Sequence, residues 1–82
     1  MKYWKLTNTH TDNVPVSVIT SSTTSKGVLL APGQFCVCSP QITSTMDAQI
    51  RKRLLSVDKE FENTQEFALG EALQVDLLEN KA

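Results

Sequence analysis

Val28-Leu29-Leu30-Ala31-Pro32-Gly33-Gln34-Phe35-Cys36-Val37-Cys38 is the stretch on which the fold turns. Two short apolar runs flank Ala31-Pro32-Gly33-Gln34, which suits a type II turn. Proline presets φ at the second position, and glycine accepts positive φ at the third. The stretch predicts a strand over residues 28–31, a tight reversal and an antiparallel return over 35–38. On that return Cys36 and Cys38 share one face, because strand side chains alternate with a period of two.

Toward the N-terminus the same period recurs. Tyr3, Lys5, Thr7, Thr9 and Thr11 alternate with Trp4, Leu6, Asn8 and His10, which puts Trp4 and Leu6 on the face to be buried. Asp12-Asn13 signals a turn, and Val14, Val16 and Val18 share a face of the next strand. Pro15 has no N–H for a ladder, so that strand begins at or forms an edge. Residues 20–27 read as a polar loop. The front half is thus a small antiparallel β-meander of three or four strands.

Composition changes near Pro40. Fourteen of the 16 Ser and Thr residues lie within 1–45, whereas thirteen charged residues lie within 46–82. Thr and Val suit strands, and Glu, Lys, Leu and Ala suit helices. Ser44 followed by Asp47 resembles a capping box, and Met46, Ile50, Leu54 and Val57 form one helical stripe. A short amphipathic helix is expected over about 44–56, followed by a short returning strand over 56–61. Residues 66–82 form an apolar arm carrying Phe67, Leu69, Leu73, Val75, Leu77 and Leu78. The spacing of the arm permits helix or strand, with helix favoured by Ala68 and Ala72. The reading is an α+β domain with a compact body over 1–65 and a docking arm over 66–82.

Eighty-two residues with 40% hydrophobic and 21% charged composition make one small globular unit. A net charge of -1 supplies no basic field for nucleic acid, and no apolar run approaches the ~20 residues that cross a bilayer. Chains this short commonly gain stability from disulfides, metals or partners. Two cysteines and the single His10 are too few for a zinc site, so no metal or other cofactor is expected. Core packing of the two thiols is the expected role, with a cross-chain disulfide as the alternative. His10 lacks a nucleophile or orienting acid in any recognisable order, and no phosphate-binding loop or calcium loop occurs. No enzyme activity and no small-molecule substrate are expected. Arg51-Lys52-Arg53 is spread around a helix, either as a solvated face or, through Arg51 and Arg53, as a contact to an acidic protein partner.

Open β-edges and an apolar arm are attachment devices. The order Val28-Leu-Leu-Ala-Pro-Gly-Gln, the strand from Phe35 to Cys38, Pro40, and a helix from Met46 that runs into Leu54-Leu55-Ser56-Val57 resembles small virion proteins of tailed bacteriophages. The resemblance covers about residues 14–61 and is one of pattern, so it transfers no individual functional residue. It implies a structural protein made in the host cytoplasm and carried in the virion, on a capsid, neck or tail. Its partners would be other virion proteins or copies of itself. The competing expectation is a small interaction module or inhibitor that binds one cellular protein.

Overall fold

The computed structural model describes residues 2–74, and Val75, Leu77 and Leu78 of the expected arm lie outside them. In chain order the elements are β1 (Lys2–Asn8), β2 (Val14–Ser21), β3 (Thr24–Leu30), β4 (Gln34–Cys38), α1 (Ser44–Arg51), β5 (Leu55–Glu62) and β6 (Leu73–Gln74). The class is α+β, mostly antiparallel strand with one short helix.

Sequence neighbours are not all sheet neighbours. A four-stranded sheet runs β5-β1-β4-β6, and β2-β3 is a separate hairpin. The simple meander order therefore holds only for the hairpin. Its inner face carries Val14, Val16, Val18, Val28 and Leu30, all buried. Joining the four-stranded sheet edge to edge would leave that face wet. Folding over the sheet instead buries it against Leu6, Cys36, Cys38 and Leu55. The polar stretch at 20–27 also contributes most of its length to this hairpin, because Thr, Ser and Lys tolerate exposed strand positions at its tip.

The reversal at residues 31–34 forms as expected. Gln34 N–H donates to the Ala31 carbonyl at 2.9 Å, and Gly33 takes φ 83°. In that left-handed region glycine carries no Cβ penalty.

The helix begins at Ser44, as expected, but ends at Arg51, five residues short of the expected 56. Thr43, not Ser44, is the N-cap: its Oγ1 accepts from Met46 N–H at 3.2 Å and donates to the Ser17 carbonyl at 2.6 Å. One hydroxyl thus caps α1 and fastens it to β2. At the other end Leu54 N–H donates to the Gln49 carbonyl and Arg53 N–H to the Ile50 carbonyl. That is a Schellman closure with Arg53 at φ 60° where glycine is usual. Leu54 and Val57 still pack on the core, from beyond the helix rather than from its face.

Asn8 is buried at the end of β1. Its Nδ2 donates to the carbonyls of Asp12 (2.9 Å) and Leu30 (2.8 Å), and its Oδ1 accepts from His10 N–H (2.7 Å). One amide therefore ties β1, the following turn and the end of β3.

Two melts test these closures. Arg53→Gly removes the left-handed strain of about 1 kcal/mol and raises the melting temperature by roughly 4–8 °C. Asn8→Ala leaves the buried Leu30 carbonyl without its amide donor and removes two part-buried hydrogen bonds, and lowers stability by about 1–3 kcal/mol in urea unfolding.

Candidate interaction surface

The expected arm begins as part of the body. Phe67 packs edge-to-face on Phe35, with centroids 5.5 Å apart, and Asn63 clamps the Phe67 backbone through two hydrogen bonds of 2.9 Å. Gly70 N–H donates to the Val37 carbonyl at 2.8 Å, and Leu73 and Gln74 pair with Phe35 and Gln34. Phe67, Leu69 and Leu73 are half-buried. Where helix was favoured, residues 66–74 contain turns and the short strand β6. The reason lies in β4, whose Phe35 and Val37 point away from the main core and need a cover. A side chain at Gly70 would also meet Thr20 Cγ2 at 2.9 Å, so only glycine fits the crossing there.

Arg51 is held by Asp47 one turn back, at 2.9 Å, while Arg53 serves the helix closure. His10 and Asp12 stand 3.7 Å apart on the exposed turn. Among the described residues no group of three or more His, Cys, Asp or Glu is placed to hold a metal ion. No helix there is long and apolar enough to cross a membrane.

The strand edges differ sharply. Along the outer edge of β2, the Pro15, Ser17 and Ile19 carbonyls accept from Gln49 Nε2 (3.4 Å), Thr43 Oγ1 (2.6 Å) and Ser39 N–H (2.9 Å). Helix and loop thus seal that margin, and Pro15 removes one donor from it. β5 carries Asp58, Lys59, Glu60 and Glu62, and its register with β1 is irregular between Tyr3 and Lys5. Charge and irregularity guard it. Among the described residues β6 has two residues in strand.

β3 carries one charge, Lys26, and none of the other defences. Residues opposite one another in an antiparallel pair turn their backbone groups the same way, inward or outward together. Pro15, Ser17 and Ile19 face outward and pair with Leu29, Gly27 and Ser25. Those three therefore present their N–H and C=O groups on the far margin of β3. Among the described residues nothing is bonded to them. Leu29 is 58% exposed, and a Cβ at Gly27 would meet nothing within 4 Å.

Beside this edge the outer face of the hairpin meets α1 in a groove of about 380 Å³. Its lining includes Pro15, Ser17, Gly27, Leu29, Thr45 and Gln49, and among the described residues no charged one lines it. Gln49 Oε1 is buried there without a hydrogen-bond partner among the described residues. Sequence periodicity marks the alternation of this hairpin but not which margin stays open, since that depends on where α1 lands.

The cysteines belong to the opposite, dry side. Cys36 and Cys38 are free thiols within the core cluster, across from Leu6 and Trp4 on β1. Burial pushes Cys36 up to about 11; burial and the neighbouring Cys36 push Cys38 up to about 12.

Comparison with protein-family models, curated proteins and solved structures finds no match to this chain. Its geometry still makes a chemical prediction. Alkylation of native protein at pH 8 is on the order of 100-fold slower than for a free thiol and tracks unfolding. The folded chain also keeps these thiol protons when the unfolded chain has lost them. Stability is therefore whole below the ordinary thiol value of 9.0 and falls as pH rises toward about 11. Replacing both cysteines by Ala removes that alkaline slope, at about 1–3 kcal/mol of stability near neutrality.

Proposed function

We propose that the chain is a non-enzymatic structural protein of a tailed-bacteriophage particle, a capsid cement or neck or tail component joining neighbouring virion subunits. The observation that carries this reading is the unguarded margin of β3 beside an uncharged groove. An open row of backbone donors and acceptors recognises another protein's extended strand, and gives no charge for a phosphate backbone. The phage assignment draws on the sequence pattern over residues 14–61, which takes in β2, β3, β4, α1 and most of β5. Partners in this reading are other virion proteins or copies of the chain itself. The protein is made in the host cytoplasm and ends in the particle.

Particles purified from the phage that encodes the chain should contain it at a copy number fitting a ring or a capsid lattice, measured by quantitative mass spectrometry. Leu29→Asp should lower its occupancy on particles at least tenfold while changing stability by less than about 0.5 kcal/mol, since the side chain is mostly exposed. A chain absent from particles and recovered as a one-to-one complex with one host protein overturns the virion reading in favour of a small inhibitor.

A further inference from the structure

We propose that β3 pairs antiparallel with β3 of a second copy of this chain, about a two-fold axis at Gly27. The inference rests on the reading of the chain as an assembly protein and names the partner of its open edge.

A second copy offers one suitable strand. Its β2 margin is sealed by α1 and Ser39, and its β5 margin is charged and irregular. Among the described residues β6 has two residues in strand, and β3 alone presents an unguarded row, at Ser25, Gly27 and Leu29. An open row is satisfied by another open row, so β3 meets β3.

The chemistry of the row then fixes the register. Outward residues must face outward residues if their N–H and C=O groups are to be exchanged. Antiparallel pairings that engage at least two members of the row have their axis at Lys26, Gly27 or Val28. An axis at Lys26 sets the one charged residue of β3 directly against its own counterpart. That is a non-hydrogen-bonded position, where opposite side chains approach most closely and like charges repel. An axis at Val28 sets Ser25 against Ala31, which lies beyond the strand. An axis at Gly27 pairs Gly27 with Gly27 and each Ser25 with a Leu29. The whole row is then bonded, and Lys26 faces Val28.

Side chains agree with this register. On the outer face Leu29, 58% exposed, comes to lie beside Ser25 of the second copy, whose own neighbour on β2 is Ile19. A large apolar side chain thus gains an apolar neighbour across a small one. At the axis, where a residue must meet its own counterpart, the residue is glycine. A Cβ there would meet nothing within 4 Å in the single chain.

Sedimentation velocity of the full-length protein, in reductant and over a concentration series, should show a monomer–dimer equilibrium. Gly27→Pro removes both N–H donors at the axis and should weaken dimerisation about tenfold or more. Gly27→Ala should leave it within about threefold, since both donors remain. The Gly27 N–H points away from β2, so both variants keep the hairpin's own ladder.

Cysteine substitution with mild oxidation tests the register, because Cys36 and Cys38 are buried. In a hydrogen-bonded antiparallel pair the Cα atoms stand about 5.5 Å apart, within disulfide reach. Gly27→Cys should therefore cross-link to its own counterpart. Ser25→Cys alone and Leu29→Cys alone should not, since like positions are then about 13 Å apart along the strand. An equimolar mixture of those two variants should give the mixed dimer.

A chain monomeric at every concentration overturns the pairing, as does a dimer indifferent to Gly27→Pro. Self-linking at position 25 or 29, or a mixture that fails to cross-link, overturns the axis at Gly27. If Gly27→Pro does not fold, the cysteine pattern decides by itself. The particle measurement decides the virion reading separately. A monomer found in particles at fixed copy number removes the pairing alone, and a cross-linked dimer absent from particles removes the virion alone.

Discussion

Phe35, Cys36, Val37 and Cys38 are all fully buried, and a strand hidden on both faces needs two covers. The rest of the chain is arranged to supply them. The hairpin and α1 lie over the Cys36 and Cys38 side, together with Leu6, Met46 and Leu55. Phe67, Leu73 and the crossing at Gly70 lie over the Phe35 and Val37 side, where the Lys5 ammonium also sits 4.8 Å from the Phe35 ring centre. A two-sided strand in so short a chain draws its cover from most of the other elements.

What the sequence makes legible follows from local chemistry. Proline and glycine at 32 and 33 announce their reversal, and alternate valines announce the inner face of β2. The common face of Cys36 and Cys38 needs only the strand period. Features set by distant partners are hidden. The stripe Met46, Ile50, Leu54, Val57 continues past Arg51 because two segments of different conformation happen to touch one core. No glycine marks the helix end, since Arg53 takes the left-handed position itself. Asn8 looks like any polar residue in an alternating strand until Asp12, Leu30 and His10 converge on it. Leu69, Leu73 and Leu77 repeat at helical spacing. Leu73 is nevertheless strand, because the backbone of β4 offers it a ladder.

The candidate surface was less legible than the fold for a related reason. Apolar residues near the C-terminus read naturally as a contact surface, yet Phe67 and Leu73 serve the chain's own sheet. The open edge lies in Ser25, Gly27 and Leu29, whose side chains carry almost no signal. Recognition there uses main-chain groups, and every residue type except proline has both of those. Only the placement of α1 against β2 shows which side of the hairpin is sealed and which is not.

That asymmetry bears on how the surface is to be understood. An uncharged open edge in a monomer invites indiscriminate strand pairing, and isolated two-stranded hairpins are marginal in water. On β2 the chain applies a helix, a proline, a capping hydroxyl and the half-buried Gln49, whose buried Oε1 has no partner among the described residues and itself costs stability. On β5 it applies four charges. A fold that guards two margins this heavily and leaves β3 with one lysine is consistent with an edge covered in the working state. A strand added at β3 would extend the hairpin to three strands and close the row at Ser25, Gly27 and Leu29.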